Sequence, residues 1–408
     1  MTNPTGRALD FTHTSPQRAF KLLELPPELV ELISPEEKGD NNKPLTPLYL
    51  KSGLPPTAST STPSTDAFVN LCTPTQTYVL RHVHSSNSIY IIKPSHSSGS
   101  TTTSTTTNAI TPNENKSTIT TISKCNATLE LVKLDSTPHS AIPHLQRLLR
   151  VYSGTHAEED GDADLQMGGV VDESPTAKSS GGGSVTRKER TKVMERLFRD
   201  VPFSAVECER GWVGVCAFVR LARDADVDVE VGGRKLACWR PSAVAKMHAW
   251  KRLLDGAVLQ GIQLGKQFLV RDLVRAARGD VDGDRDGDGE AAGFPGELFE
   301  AVVRRLVGDP GVVGFGEVYG EMKWASLDKD SVVAWVGEAY LEANAPDPTM
   351  AVDRAEFLDS WKDLLPESWR GEATWVTLKA CNKLIPCYVA PERDVVHTLN
   401  TSYVWDIL

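Results

Sequence analysis

The 408-residue chain has no run of about 18 apolar residues, which argues against a membrane-spanning helix. It has no Cys-x-x-Cys pair among Cys72, Cys125, Cys208, Cys216, Cys238, Cys381 and Cys387, which argues against a zinc ribbon. An odd number of cysteines in a long chain argues against a disulfide framework. They read as small core hydrophobes. Positive charge is short too: the net charge of -10 argues against a protein that coats nucleic acid with its whole surface. The start, Met1 to Gln17, has no apolar core of a leader, so the expectation is a soluble, intracellular protein. G-x-S-x-G and H-E-x-x-H are absent and the other histidines are scattered. No cluster of acid–base groups is therefore marked, and neither enzyme activity nor a cofactor is expected.

Three stretches come close to ligand loops and fail on spacing. From Asp282, the Asp280–Glu290 stretch has Asp282, Asp284, Asp286 and Gly287 at calcium-loop positions, but Gly293 stands where a bidentate Glu is needed. Gly261–Gln267 is one residue short of a phosphate loop, and Gln267 replaces the Ser/Thr. Gly314–Gly320 is misspaced for a dinucleotide turn. All three read as solvated loops or turns.

What is present is globular on average, with 40% apolar and 24% charged residues. The length suggests two to four domains. The first 150 residues look β-rich. Pro26 and Pro27 open a short helix, Glu28 to Ile33. Short strands are expected at Pro47–Ser52, in DAFVNLCT, TYVLRHV and SIYIIKP, and at Ala127–Leu134. Their spacing suggests a meander or small barrel, with Ser85–Ser88 as a hairpin turn. Ser95–Thr121 is Ser/Thr low complexity and reads as a loop insertion. His144–Tyr152 reads as a helix, followed by an acidic Gly/Ser-rich linker.

From Thr186 the texture is helical. Ser204 and Glu207 form a capping-box pattern, and Cys208, Trp212, Val215, Cys216 and Val219 share one helical stripe. A Gly232–Gly233 turn joins two short strands, and Pro241 to Gly256 bounds the next helix. This order is close to a winged helix, with the hairpin as wing. It roughly recurs in later blocks. The expected fold class is α+β: a β-rich partial barrel module followed by tandem winged-helix domains. The boundaries are 1–152 (β module), 153–185 (linker), 186–264 and 265–350 (winged helices) and 351–408 (a partial third).

His82 and His84 lie on one face of a strand, where i and i+2 coincide. A metal pair or active site there is weighed against a barrel wall, which their sharing a face with Tyr78 and Leu80 favours. Charge offers another feature: 19 Lys and Arg stand against 11 Asp and Glu between Arg187 and Arg278. Arg240, Lys246, Lys251, Arg252, Lys266, Arg271 and Arg275 cluster in its later half. These are candidates for DNA or an acidic partner.

FKLLELPPELVELI, TYVLRHVHSSNSIYII, CNATLELVKL and HLQRLL, then FSAVECERGW, CWRPS, FLVRDL, AWVGEAYL and FLDSWKDLLPESW, follow in order. This set resembles the defective-in-sister-chromatid-cohesion family, fungal type. The resemblance implies a nuclear, non-catalytic subunit of an alternative replication factor C clamp loader. Its implied partners are the large and small chromosome-transmission-fidelity subunits and the catalytic subunit of DNA polymerase epsilon. PCNA and the small replication factor C subunits are implied indirectly, DNA contact is implied by the assembly, and no membrane is involved. The β module would complete a composite barrel, with Tyr78, Leu80, Arg81, Val83, Asn87, Ile89 and Ile91 as interface candidates. After WVTLK the tail matches no family motif, so the third winged helix reads as truncated or replaced. The alternative reading is a stand-alone winged-helix DNA-binding regulator.

Overall fold

The computed structural model describes residues 10–16, 20–34, 46–52, 69–96, 117–135, 141–154, 185–222, 228–279, 294–307, 317–345, 351–381 and 395–397. The Asp280–Glu290 stretch lies outside them, as does much of Ser95–Thr121. The chain forms two compact units: residues 1–73 with 77–134, and residues 74–76 with 135–408.

Among the described residues, the first unit is a mixed sheet with one helix. Its elements are β1 (Asp10–His13), β2 (Leu22–Glu24), α1 (Pro27–Ile33), β3 (Tyr49–Ser52), β4 (Val69–Cys72), β5 (Thr77–His96) and β6 (Ser117–Lys133). The strand order is β1-β6-β5-β4-β3, with β2 also on β6. β3 to β6 are antiparallel, while β1 and β2 run parallel to β6 and pair with its two ends. α1 starts at Pro27, as the fixed φ of proline predicts. Its Leu29 is buried with Leu71 and Tyr78.

Of the meander or small barrel expected, the described strands β3 to β6 form an open antiparallel meander and no closed barrel. One expectation fails: Ser85–Ser88 is no hairpin turn. β5 continues through it, pairing His84 with Ala127 and then Ile89 with Cys125. Four residues of β5 therefore stand opposite the single Asn126, a bulge that keeps the strand direction. Part of the Ser/Thr-rich tract, Ser117 to Thr121, belongs to β6, because β-branched threonines fit a pleated strand once a partner supplies the ladder.

The second unit holds α2 (Ile142–Leu148), β7 (Arg150–Tyr152), α3 (Arg187–Arg199), α4 (Ala205–Gly214), β8 (Phe218–Leu221), β9 (Val229–Val231) and β10 (Arg234–Pro241). It continues with α5 (Ala243–Leu259), β11 (Phe268–Leu269), α6 (Val270–Arg278), α7 (Gly296–Leu306), β12 (Trp324–Ala325) and α8 (Lys329–Asn344). β13 (Ala351–Asp353), α9 (Arg354–Asp363), α10 (Trp375–Cys381) and β14 (Val395–His397) end it. The Gly-Gly hairpin forms as expected, with φ of +60° and +80° at Gly232 and Gly233.

One order recurs three times among the described residues: helix, strand, helix, helix, then a strand that pairs with the first, with β8 and β9 coming ahead of that last strand, β10, in the first repeat. The strand pairs are β7 with β10, β11 with β12, and β13 with β14. The first is parallel, the others antiparallel. The tail that matched no motif supplies β14. Residues 142–152, read with the β module, supply α2 and β7 of the first repeat, and Arg150–Tyr152 is extended rather than helical. One buried cluster runs from Tyr152 to Leu378 through all three repeats.

Candidate partner interface

All seven interface candidates fall on β5, but alternation divides them. Tyr78 is a core residue at 5% exposure. Burial, and secondarily the Glu28 carboxylate, push its hydroxyl pKa up. Leu80 is half-buried opposite Leu131, and Val83 is half-buried opposite Thr128. Arg81 is exposed and lies opposite Glu130, a favourable cross-strand charge pairing. Asn87 is exposed within the bulge.

Beyond the bulge the ribbon of β5 and β6 carries apolar side chains on both faces. Ile89 and Ile91 lie opposite Cys125 and Ser123, which are buried. Ile89, Tyr90 and Ile92 are 41%, 46% and 50% exposed. Sequence reasoning named Ile89 and Ile91 and missed Tyr90 and Ile92. The signal was present: four apolar residues in succession make both faces of a strand apolar.

The backbone is open as well. Among the described residues, β4 pairs only with Thr77–Val79 of β5. From Leu80 to Lys93 no described strand lies against that edge of β5, and an uncovered edge is a template for another chain. Pro94 pairs opposite Ile119. Its lack of an N–H confines it to edge strands, so it marks the end of the usable edge.

His82 and His84 are exposed on this strand, edge to face with ring centroids 4.4 Å apart. Among the described residues, no group of three or more His, Cys, Asp and Glu is placed to hold a metal. The five described free cysteines are buried. Burial pushes the Cys216 thiol up to about 11 and that of Cys238 higher still, which keeps both as thiols at neutral pH. A cavity of about 30 Å³ in the second unit, lined by Arg190, Trp212, Glu300 and Arg304 among others, has room for roughly one water.

The structure divides the basic candidates. Arg240 donates from Nε to the Gln146 carbonyl at 3.2 Å. Lys246 donates to Glu342 at 2.9 Å, joining α5 to α8. Arg252 is half-buried. Lys251, Lys266, Arg271 and Arg275 are exposed. Arg271 and Arg275 are one turn apart on α6, and Arg278, overlooked in the sequence, continues the same face at i+7.

The model of the family described as sister chromatid cohesion protein Dcc1 matches residues 20–225, just over half of the 408. The match runs from Phe20, ahead of β2, to just past β8, so it takes in the whole β5–β6 ribbon. No curated protein matches the chain.

Proposed function

Because the chain belongs to the sister chromatid cohesion protein Dcc1 family, and so has a role in sister chromatid cohesion, we propose that it serves there as a non-catalytic scaffold subunit in the nucleus. In this reading it joins the large and small chromosome-transmission-fidelity subunits in an alternative replication factor C clamp loader acting on PCNA. It also links that loader to the catalytic subunit of DNA polymerase epsilon.

The observation that carries the reading is the edge of β5 from Leu80 to Lys93, against which no described strand lies, with Ile89, Tyr90 and Ile92 exposed beside it. Strand addition there gives affinity through main-chain hydrogen bonds and selectivity through side-chain pockets. The threefold order of helix, strand, helix, helix, strand supports reading the second unit as tandem winged helices. Co-expression with the barrel-completing segments of the two partner subunits is expected to give one complex on gel filtration. Persistent monomer would overturn the scaffold reading.

The second reading, a stand-alone DNA-binding regulator, draws on the exposed Lys251, Lys266, Arg271 and Arg275. It requires tight, sequence-selective duplex binding by the isolated chain, with affinity falling steeply as salt rises. Weak, non-selective binding favours the scaffold.

A further inference from the structure

The edge of β5 that no described strand covers fits a second occupant, which does not depend on the partners proposed above. The bulge at Ser85–Ser88 and the proline at position 94 bound a continuous extended segment of β5, Ile89-Tyr90-Ile91-Ile92-Lys93, whose ladder to β6 on the other edge skips Ile122 between Ile91 and Ile92. Its residues are β-branched or aromatic with a single charge, the composition that pairs most readily strand to strand. We propose that, when no partner covers it, this segment pairs edge to edge with the same segment of a second copy of the chain.

Symmetry fixes the arrangement. Two identical edges close into a dimer about a two-fold axis, and the contact must be self-complementary. A two-fold perpendicular to the sheet makes the strands antiparallel and keeps each side chain on its own face. Opposed residues must then have the same parity. The register centred on the segment places Ile91 opposite itself, Tyr90 opposite Ile92 twice, and Ile89 opposite Lys93 twice.

That register is chemically favourable. The Tyr90–Ile92 pairs match an aromatic with a β-branched residue. Both are about half exposed in the isolated chain, at 46% and 50%, so pairing covers apolar surface now facing water. The two lysines lie opposite isoleucines, not each other, which avoids like-charge repulsion. The contact is small: five residues a side fall well below the roughly 20–30 a side of a stable complex. The dimer is therefore weak, forms at high protomer concentration, and competes directly with any chain that adds a strand at β5.

Sedimentation of the full chain across 1 to about 100 µM tests this. The weight-average mass is expected to rise from 44.5 kDa towards twice that value. Tyr90→Lys with Ile92→Lys is expected to shift the midpoint at least tenfold higher. Leu50→Lys, on the outer strand β3 at 66% exposure, is expected to leave it unchanged. Ile91→Cys should oxidise to a disulfide-linked dimer faster than Tyr90→Cys, because only residue 91 faces itself. A monomer throughout, a dimer indifferent to the β5 substitutions, or one that responds to Leu50→Lys would overturn the proposal. None of these outcomes bears on the co-expression result, so the two readings fail separately.

Discussion

Gly256 lies inside α5, where a glycine weakens a helix by roughly 1 kcal/mol relative to alanine. The structure supplies the reason for it. A Cβ there would stand 2.8 Å from the Ala277 backbone nitrogen and 3.0 Å from the Ala276 carbonyl carbon on α6. Backbone cannot yield as a flexible side chain can, so overpacking of about 1–3 kcal/mol should outweigh the propensity gain. Gly256→Ala is expected to lower the urea midpoint. From the sequence Gly256 looked like the stop of its helix, since close approach to a helix 20 residues later leaves no local mark. His144 gives a second test. Burial, and then the Arg147 charge, hold its pKa below the ordinary 6.5, and its ring packs against Phe203 at 5.4 Å. The unfolded chain therefore binds the proton more readily than the folded one. This cost is absent well above pH 6.5 and grows as the pH falls through that value. His144→Gln should flatten the acid side of the stability profile, measured by urea melts from pH 5 to 8.

Helix starts were the most legible elements, because a capping box is a local chemical pattern. Thr186 with Glu189 and Ser204 with Glu207 both form one. Their surroundings differ. The Ser204 cap is buried, with Oγ donating to Glu207 at 2.6 Å, while the Thr186 cap is exposed. An exposed cap loss costs about 1 kcal/mol, and a buried one also leaves the Glu207 carboxylate short of a donor. Ser204→Ala is therefore expected to destabilise more than Thr186→Ala by thermal melting; an equal loss would refute the distinction. The helix end was not legible. The stripe through Val215, Cys216 and Val219 predicts a helix past Val219, yet α4 ends at Gly214. Cys216 adopts φ of +53°. Ala217 N–H donates to Trp212 O and Cys216 N–H to Val213 O, both at 3.0 Å, which is a Schellman end. Cysteine in the usual glycine position hid it. Phe218 and Val219 then enter β8, where β10 supplies the ladder.

Across the second unit, the repeats are joined by more than chain order. Trp250 of α5 donates from Nε1 to the Leu364 carbonyl at 2.7 Å, in the core. Leu327 N–H donates to Leu264 O at 2.8 Å, tying the entry to α8 to the loop after α5. A shared core and shared buried hydrogen bonds make such repeats unfold together. Trp250→Phe leaves the Leu364 carbonyl without this donor, at a cost of about 1–3 kcal/mol. Hydrogen exchange in α5 and α9 is expected to accelerate equally. Acceleration confined to α5 would show that the later repeat is independent.

The sequence by itself determined the alternation of strand and helix texture, the caps, the Gly-Gly hairpin and the helical stripes. Each is set by residues within a turn or two of one another. The ordered motifs also carried the family. Only the tertiary structure decided that Ser85–Ser88 bulges instead of turning, that Arg240 and Lys246 are engaged within the fold, and that β5 has an edge which no described strand covers. Those outcomes depend on which distant backbone groups find partners, and local pattern does not encode that.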